Sequence, residues 1–259
     1  MLLAIDIGNT NLVFALCDGE KTRAEWRIRT DIHRTADEYA VWLFALMQRG
    51  GFSEGDVSAA IISSVVPDAN FSVKSFVRHY LKCEPQLIAS GQIDLGMPIL
   101  LDNPKELGAD RLINAFAAWS EYKHALIVID FGTATTFDVV TGKGEYAGGV
   151  IAPGINLSLE ALQRAAAKLH GIAIIHPEKV IGTNTTAAMQ SGIFYGYAGL
   201  IEGIVTRIKA ERGEIMKVIA TGGLAPLYAD ATKLIDTVDA DLTIRGLRMI
   251  YERSKKNGH

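Results

Sequence analysis

The sequence predicts a mixed α/β protein made of two copies of one layered unit, and three observations lead there. A phrase at the amino terminus, Leu2-Leu3-Ala4-Ile5-Asp6-Ile7-Gly8-Asn9-Thr10, is repeated in form about halfway along as Leu126-Ile127-Val128-Ile129-Asp130-Phe131-Gly132-Thr133-Ala134. Each copy is an apolar run that ends in Asp-x-Gly and leads into a second apolar run, Leu12 to Leu16 or Phe137 to Val140. That pattern reads as strand, tight turn, strand. After each copy, strand-like and helix-like stretches alternate, as in sheets covered by helices. A chain of 259 residues that is 49% hydrophobic can bury two cores.

Each element follows from its residues in turn. Behind the first hairpin, Glu25 to Arg29 reads as a third strand, and Thr35 to Gln48 carries Tyr39, Leu43, Leu46 and Met47 at helical spacing. Thr35 is the expected N-cap, with Glu38 completing a capping box. Val57 to Ile62 reads as a buried strand stopped by Ser63-Ser64 and Pro67, and a helix is expected from about Asn70 to Leu81. From Ala125 the order recurs: strands near 125–130, 135–140 and 148–151, then a helix from about Ile155 to Leu169. A long helix from about Thr185 to Glu211 and a strand at Lys217 to Ala220 follow. A duplicated β-β-β-α-β-α order is the ribonuclease-H-like (actin-like) plan, two lobes with mixed sheets and a nucleotide cleft between them. The expected lobes are residues 1–115 and 116–259, joined by a helix from about Asp110 to Tyr122.

Composition removes several function classes. With 26 basic and 29 acidic residues the net charge is −3, and beyond Lys255-Lys256 no basic stripe stands out, so nucleic acid is not an expected partner. Cys17 and Cys83 are the two cysteines and lie in no close Cys/His spacing, so neither a disulfide framework nor a zinc site is suggested. The apolar start is interrupted by Asp6, Asn9 and Asn11 and lacks a basic leader, and no apolar run reaches about 18 residues. The expectation is a cytoplasmic protein without a membrane segment.

The two Asp-x-Gly turns are the first candidates for chemistry. Such turns bring backbone N–H groups and hydroxyls up to a phosphate, while the Asp holds a cation or a water. An Asp at a strand end is also a common turn former. Two equivalent carboxylates, Asp6 and Asp130, strengthen the cation reading, because hard cations take oxygen ligands. Gly8, Asn9, Thr10 and Asn11 would then serve one phosphate, and Gly132, Thr133 and Thr135 its neighbour. A third phrase, Thr221-Gly222-Gly223, follows another apolar strand. Paired glycines there make room for a flat ligand such as adenosine, or for another backbone. Gly108-Ala109-Asp110-Arg111 opens the joining helix, where Asp110 suits either the helix dipole or general-base duty and Arg111 either solvent or an anion. The stretch from Gly142 to Gly149 matches no nucleotide-loop spacing and reads as a hairpin turn. His33, His79, His124, His170, His176 and His259 form no motif, and no hydrolase triad is indicated.

With these residues in view, the chain resembles the type III pantothenate kinases along its whole length, within the actin-like, sugar kinase and Hsp70 superfamily. Asp6-x-Gly8-Asn9-Thr10 and Asp130-x-Gly132-Thr133 look like the two phosphate motifs, and Thr221-Gly222-Gly223 like the adenosine motif. Gly108-Ala109-Asp110-Arg111, Gly148-Gly149-x-x-x-Pro153-Gly154 and Asn184-Thr185-x-x-x-Met189-Gln190-Ser191-Gly192 narrow the resemblance to this family. The resemblance implies transfer of the ATP γ-phosphate to the primary hydroxyl of pantothenate, the first step of coenzyme A synthesis. It implies Asp110 as the base, Arg111 as substrate anchor, Gly108 and Ala109 as pocket walls, and Thr133 as an ATP contact. It further implies Asp130 as holder of K⁺ or NH₄⁺, Asp6 as the Mg²⁺ side acting through phosphate, and a homodimer in which Thr185 reaches pantothenate. Two stretches depart from the family pattern: Leu101 replaces a frequent aromatic residue, and Ala165 to His170 replaces a Thr-Ala-x-Leu-Pro form. A non-catalytic ATP-binding module and a family-related regulator are the alternative functions.

Overall fold

The computed structural model describes residues 1–88, 95–165 and 172–256. In chain order the strands and α-helices are β1 (Leu2–Ile7), β2 (Asn11–Asp18), β3 (Lys21–Arg29), α1 (Ala36–Arg49), β4 (Ala59–Ser64), α2 (Asn70–Tyr80), β5 (Pro85–Ile88) and α3 (Ala109–Tyr122). There follow β6 (Leu126–Phe131), β7 (Ala134–Val140), β8 (Tyr146–Pro153), α4 (Ile155–Ala165), α5 (Thr185–Arg212), β9 (Lys217–Gly222), α6 (Ala225–Ala229), β10 (Thr237–Val238) and α7 (Leu242–Lys256). The expected continuation of α4 to Leu169, and the departure at 166–170, lie outside the described residues.

The chain forms two compact units. The first comprises Met1–Met97, Asp102–Ala117 and Leu242–His259, and the second Pro98–Leu101 and Ala118–Asp241. This differs from a division at 115/116 chiefly in assigning the carboxy-terminal stretch to the first unit. Gly246 explains the placement of α7: a Cβ there would lie 2.6 Å from Ile113 Cγ2, so the two helices meet at a position only glycine fills. The Thr243 hydroxyl donates to Asn114 Oδ1 at 2.7 Å across the same contact.

The two sheets share one topology. The first runs β3-β2-β1-β4-β5 and the second, read from the other edge, β8-β7-β6-β9-β10. In each, the first strand of the repeated phrase is central, antiparallel to the strand after its turn and parallel to the strand after a helix: β1 with β2 and β4, β6 with β7 and β9. A central strand covered on both faces is apolar throughout, which is why residues 2–5 and 126–129 are buried without alternation. The edge strand β3 alternates between exposed and partly buried positions instead.

The first core packs Phe14, Tyr39, Leu43, Met47, Val73 and Phe76 against the β1 and β4 side chains. The capping box that opens α1 is present, with the Thr35 N–H donating to Glu38 Oε2 at 2.8 Å and the Glu38 N–H to Thr35 Oγ1 at 3.3 Å. The second core sets Ile193, Phe194, Ile201 and Val205 of α5 against Ile127, Ile129 and Val218. Residues 141–145 close the β7–β8 hairpin, as expected, through Thr141 N–H to Glu145 O at 2.9 Å.

Candidate active site

In the first unit, Ile7 pairs with Leu12, so residues 8–11 make the turn of the first Asp-x-Gly phrase. The Gly8 N–H donates to Asn11 O at 3.0 Å and closes it. Thr30, just beyond β3, braces the turn twice: its hydroxyl donates to Gly8 O at 2.6 Å and its N–H to Thr10 O at 2.9 Å. Asn9, Thr10 and Asn11 are exposed, which leaves this rim accessible to an anion.

Asp6 stands one residue before the end of β1, opposite Val13 of β2 and Ser63 of β4. Burial pushes its carboxyl from the ordinary 3.8 up to about 7; the Asp110 carboxylate adds to the rise and the Ser63 hydroxyl partly offsets it. Asp110 lies in the first turn of α3, where the Arg111 N–H donates to its Oδ1 at 2.8 Å. Burial raises this carboxyl as well, against the pull of that hydrogen bond and of the Arg111 charge. The carboxylate folds back over Gly108, where a Cβ would stand 2.6 Å from Asp110 Oδ1. Two carboxyl groups, far apart in the chain, are therefore coupled in one poorly solvated place. Like charges so placed resist joint ionisation until a cation neutralises them.

The second unit holds the other phrase. Phe131 pairs with Thr135, so its turn has only residues 132–134, one fewer than its counterpart. The Gly132 N–H donates to Ala134 O at 3.1 Å. Gly154, just beyond β8, takes the bracing position, with its N–H on Thr133 O at 3.1 Å. Gly132 and Thr133 are exposed, whereas Thr135 is 1% exposed and its hydroxyl has no hydrogen-bond partner. A buried hydroxyl left without a partner is uncommon and suits a group awaiting a ligand. Asp130 is opposite Thr136 of β7 and Thr221 of β9.

The glycine pair at the end of β9 divides its work. Gly222 has φ +91°, and a Cβ there would lie 2.6 Å from Phe131 O, so this glycine serves the approach of β9 to β6. Gly223 is exposed and meets nothing within 4 Å, so its open side is the one available to a ligand. Thr185 is the exposed first residue of α5, directly after the N-cap Asn184, whose side chain accepts from the Ala187 N–H at 2.9 Å.

Ser63, Thr30 and Gly154 are functional neighbours that the motif reading did not single out for these roles. Ser63 had a visible signal as a hydroxyl at the end of a buried strand. Thr30 had none, because its partners are set by the return of β3 beside β2. Among the described residues, no cluster of three or more His, Cys, Asp or Glu is placed to hold a metal ion. A divalent cation would thus depend on oxygens of its ligand as well as on the protein.

The family model for type III pantothenate kinase matches residues 2–207. A type III pantothenate kinase of Paramagnetospirillum magneticum is 61% identical over 254 residues, covering 98% of both chains. One from Rhodospirillum rubrum is 56% identical over 255 residues, covering 98% of this chain and 99% of its own. Among solved structures, a Sinorhizobium meliloti protein described as a candidate 2-dehydro-3-deoxygalactonokinase superposes with a TM-score of 0.58 at 12% identity, covering 98% of this chain and 96% of that one. That likeness concerns the fold alone, which is the actin-like one. By the family match and by identity over nearly its full length, this chain belongs to the type III pantothenate kinase family.

Proposed function

We propose that this protein transfers the γ-phosphate of ATP to the primary hydroxyl of pantothenate, giving 4′-phosphopantothenate at the first step of coenzyme A biosynthesis. The observation that carries the residue assignment is the meeting of Asp6 and Asp110, the first carboxyl pushed up to about 7 and the second raised from its ordinary value, both chiefly by burial. Asp110 accepts the hydroxyl proton as the alcohol attacks. Its raised affinity for a proton favours that task, since an ordinary carboxylate is a weaker base. Arg111 anchors the pantothenate carboxylate through its paired N–H groups, and Gly108 and Ala109 form the wall beside it. Phosphoryl transfer depends mainly on positioning and charge neutralisation, which small turns rich in N–H groups and hydroxyls supply.

Within the first unit, Gly8, Asn9, Thr10 and Asn11 offer donors to the phosphates, and Asp6 attracts the Mg²⁺ that accompanies them. Mg²⁺ supplies charge neutralisation on the phosphate oxygens. Within the second unit, Gly132, Thr133 and Thr135 contact ATP, and Gly222 and Gly223 border the adenosine, with Gly223 the face toward the ligand. Asp130 and the unpartnered Thr135 hydroxyl offer the oxygen donors that suit K⁺ or NH₄⁺.

The protein acts as a homodimer in the cytoplasm, with Thr185 contacting pantothenate near the dimer interface. Support for the dimer comes from one face of α5, where Gly192, Gly196 and Gly199 meet nothing within 4 Å, and from exposed Ile151, Val180 and Ile181 in the same unit. Among the described residues, no helix is long and apolar enough to cross a membrane.

The deciding experiment is a coupled ADP-release assay over pantothenate and related small alcohols, with Na⁺ replacing K⁺ in a parallel series. Turnover of pantothenate that needs Mg²⁺ and falls in Na⁺ is expected. Rapid phosphorylation of another alcohol with none of pantothenate would refute the substrate, and indifference to Na⁺ would refute the role of Asp130.

A further inference from the structure

The two Asp-x-Gly turns are braced by the same backbone bond but differ in the second brace. In the first unit, Thr30 gives both its N–H, to Thr10 O, and its hydroxyl, to Gly8 O. In the second unit, Gly154 gives its N–H to Thr133 O and has no side chain to give. It cannot acquire one, since a Cβ there would lie 2.1 Å from Thr133 O and 2.7 Å from Gly132 O. The second unit instead sets a hydroxyl behind the bracing segment. Tyr197 of α5 is only 7% exposed, and its hydroxyl lies 3.0 Å from Pro153 O and 3.2 Å from Gly154 O.

The same oxygen is in close hydrogen-bond contact with Ser158 Oγ of α4. A tyrosine hydroxyl has a single proton, here directed at the two carbonyls, so Ser158 is the donor to Tyr197. A relay results: Ser158 to Tyr197, Tyr197 to the Pro153–Gly154 carbonyls, and Gly154 to Thr133. The Gly154 N–H to Thr133 O bond, at 3.1 Å, links the bracing segment directly to the turn.

We propose that Tyr197 is a positioning residue for the second phosphate turn, holding Thr133 and Gly132 in place for ATP through Gly154. The inference rests on the reading of Thr133 as an ATP contact. It assigns a buried aromatic residue on the face of α5 away from its open glycines to nucleotide binding rather than to core packing alone.

The test uses the full chain with Tyr197→Phe, Ser158→Ala, Thr133→Ala and the Tyr197→Phe/Thr133→Ala pair, read as kcat and KM for each substrate together with thermal melting. Tyr197→Phe is expected to raise KM for ATP about tenfold, the size of one well-placed hydrogen bond, while KM for pantothenate stays within about twofold. Ser158→Ala is expected to shift KM for ATP in the same direction by less, and it carries the test alone if the phenylalanine variant does not fold. In the Thr133→Ala background, Tyr197→Phe should add less than about twofold, because both changes remove one device. Full multiplication of the two effects, or equal losses for both substrates tracking a lower melting temperature, would overturn the proposal. Wild-type KM for ATP in Thr133→Ala would overturn the reading of Thr133 and this inference with it, whereas a large Thr133→Ala effect beside an inert Tyr197→Phe would overturn this inference alone.

Discussion

Replacing Asp6 by asparagine should stabilise the empty protein at alkaline pH while abolishing its turnover. Asp6 has an ordinary value of 3.8 and a folded value of about 7. The folded state therefore holds this proton more tightly than the unfolded state does, and stability falls as pH rises between those two values. At pH 5 the folded carboxyl is protonated and resembles the asparagine side chain. By pH 8 it is ionised beside Asp110, and integrating the linkage from pH 5 to pH 8 gives a loss of about 2 to 3 kcal/mol for the wild type. The Asp6→Asn substitution removes that loss. Because the unfolded carboxyl is already ionised at pH 5, urea unfolding followed by circular dichroism, in EDTA and without nucleotide, should give the variant a lead of about 1 to 2 kcal/mol there. From pH 5 to pH 8 the variant's lead should widen by about 2 to 3 kcal/mol, or about 5 to 10 °C in melting temperature. Added Mg²⁺ and ATP should stabilise the wild type and not the variant. An equal gap at pH 5 and pH 8, or no gap at either, would refute the raised carboxyl of Asp6.

Other perturbations separate the roles within each unit. Asp110→Asn should lower kcat by about 10² to 10⁴-fold with ATP binding retained, measured by turnover beside nucleotide titration; near-normal kcat would favour a non-catalytic module. Gly108→Ala should lower kcat with little change in melting temperature, because the added methyl displaces the Asp110 carboxylate that lies 2.6 Å from its position. Gly222→Ala should destabilise the second unit by about 2 to 4 kcal/mol, from the clash with Phe131 backbone and the positive φ, read by denaturant unfolding. Gly223→Ala, with open space around it, should leave stability unchanged and weaken ATP binding instead.

Much of this architecture is legible in local sequence because local physics dictates it. Apolar runs such as residues 2–5 and 126–129 can only be buried strands, and Asp-x-Gly can only end them in a turn. Thr35 and Glu38 declare a helix start, and the bounds of α2, α3 and α5 lie within a residue or two of those read from periodicity. The elements that the sequence left unread include α6, with five residues, as well as β5, β10 and α7. β5 and β10 have four and two residues, too short to show a period. α7 carries Gly246 in its interior, which argues against a helix until its contact with Ile113 is known. The glycine pair at 222–223 shows the same limit: sequence marks a place without side chains, and only the pairing of β9 with β6 tells which glycine faces backbone and which faces space.

By itself the sequence determined the duplicated α/β plan, the two Asp-x-Gly turns, the family and the carboxylates to test. Those properties depend on residue type and short spacing, where turn chemistry and hydrophobic period act directly. The tertiary structure decided which groups meet. Burial at the end of β1 raises the Asp6 carboxyl to about 7, with the Asp110 carboxylate at the start of α3 adding to the rise and Ser63, brought alongside by the parallel pairing of β1 with β4, offsetting part of it, a shift no isolated motif contains. The return of the third strand in each sheet decides that Thr30 braces one turn and Gly154 the other, and the packing of α5 decides that Tyr197 stands behind the second. Desolvation and long-range register are properties of the folded chain, and the electrostatics of the first Asp-x-Gly turn come from them.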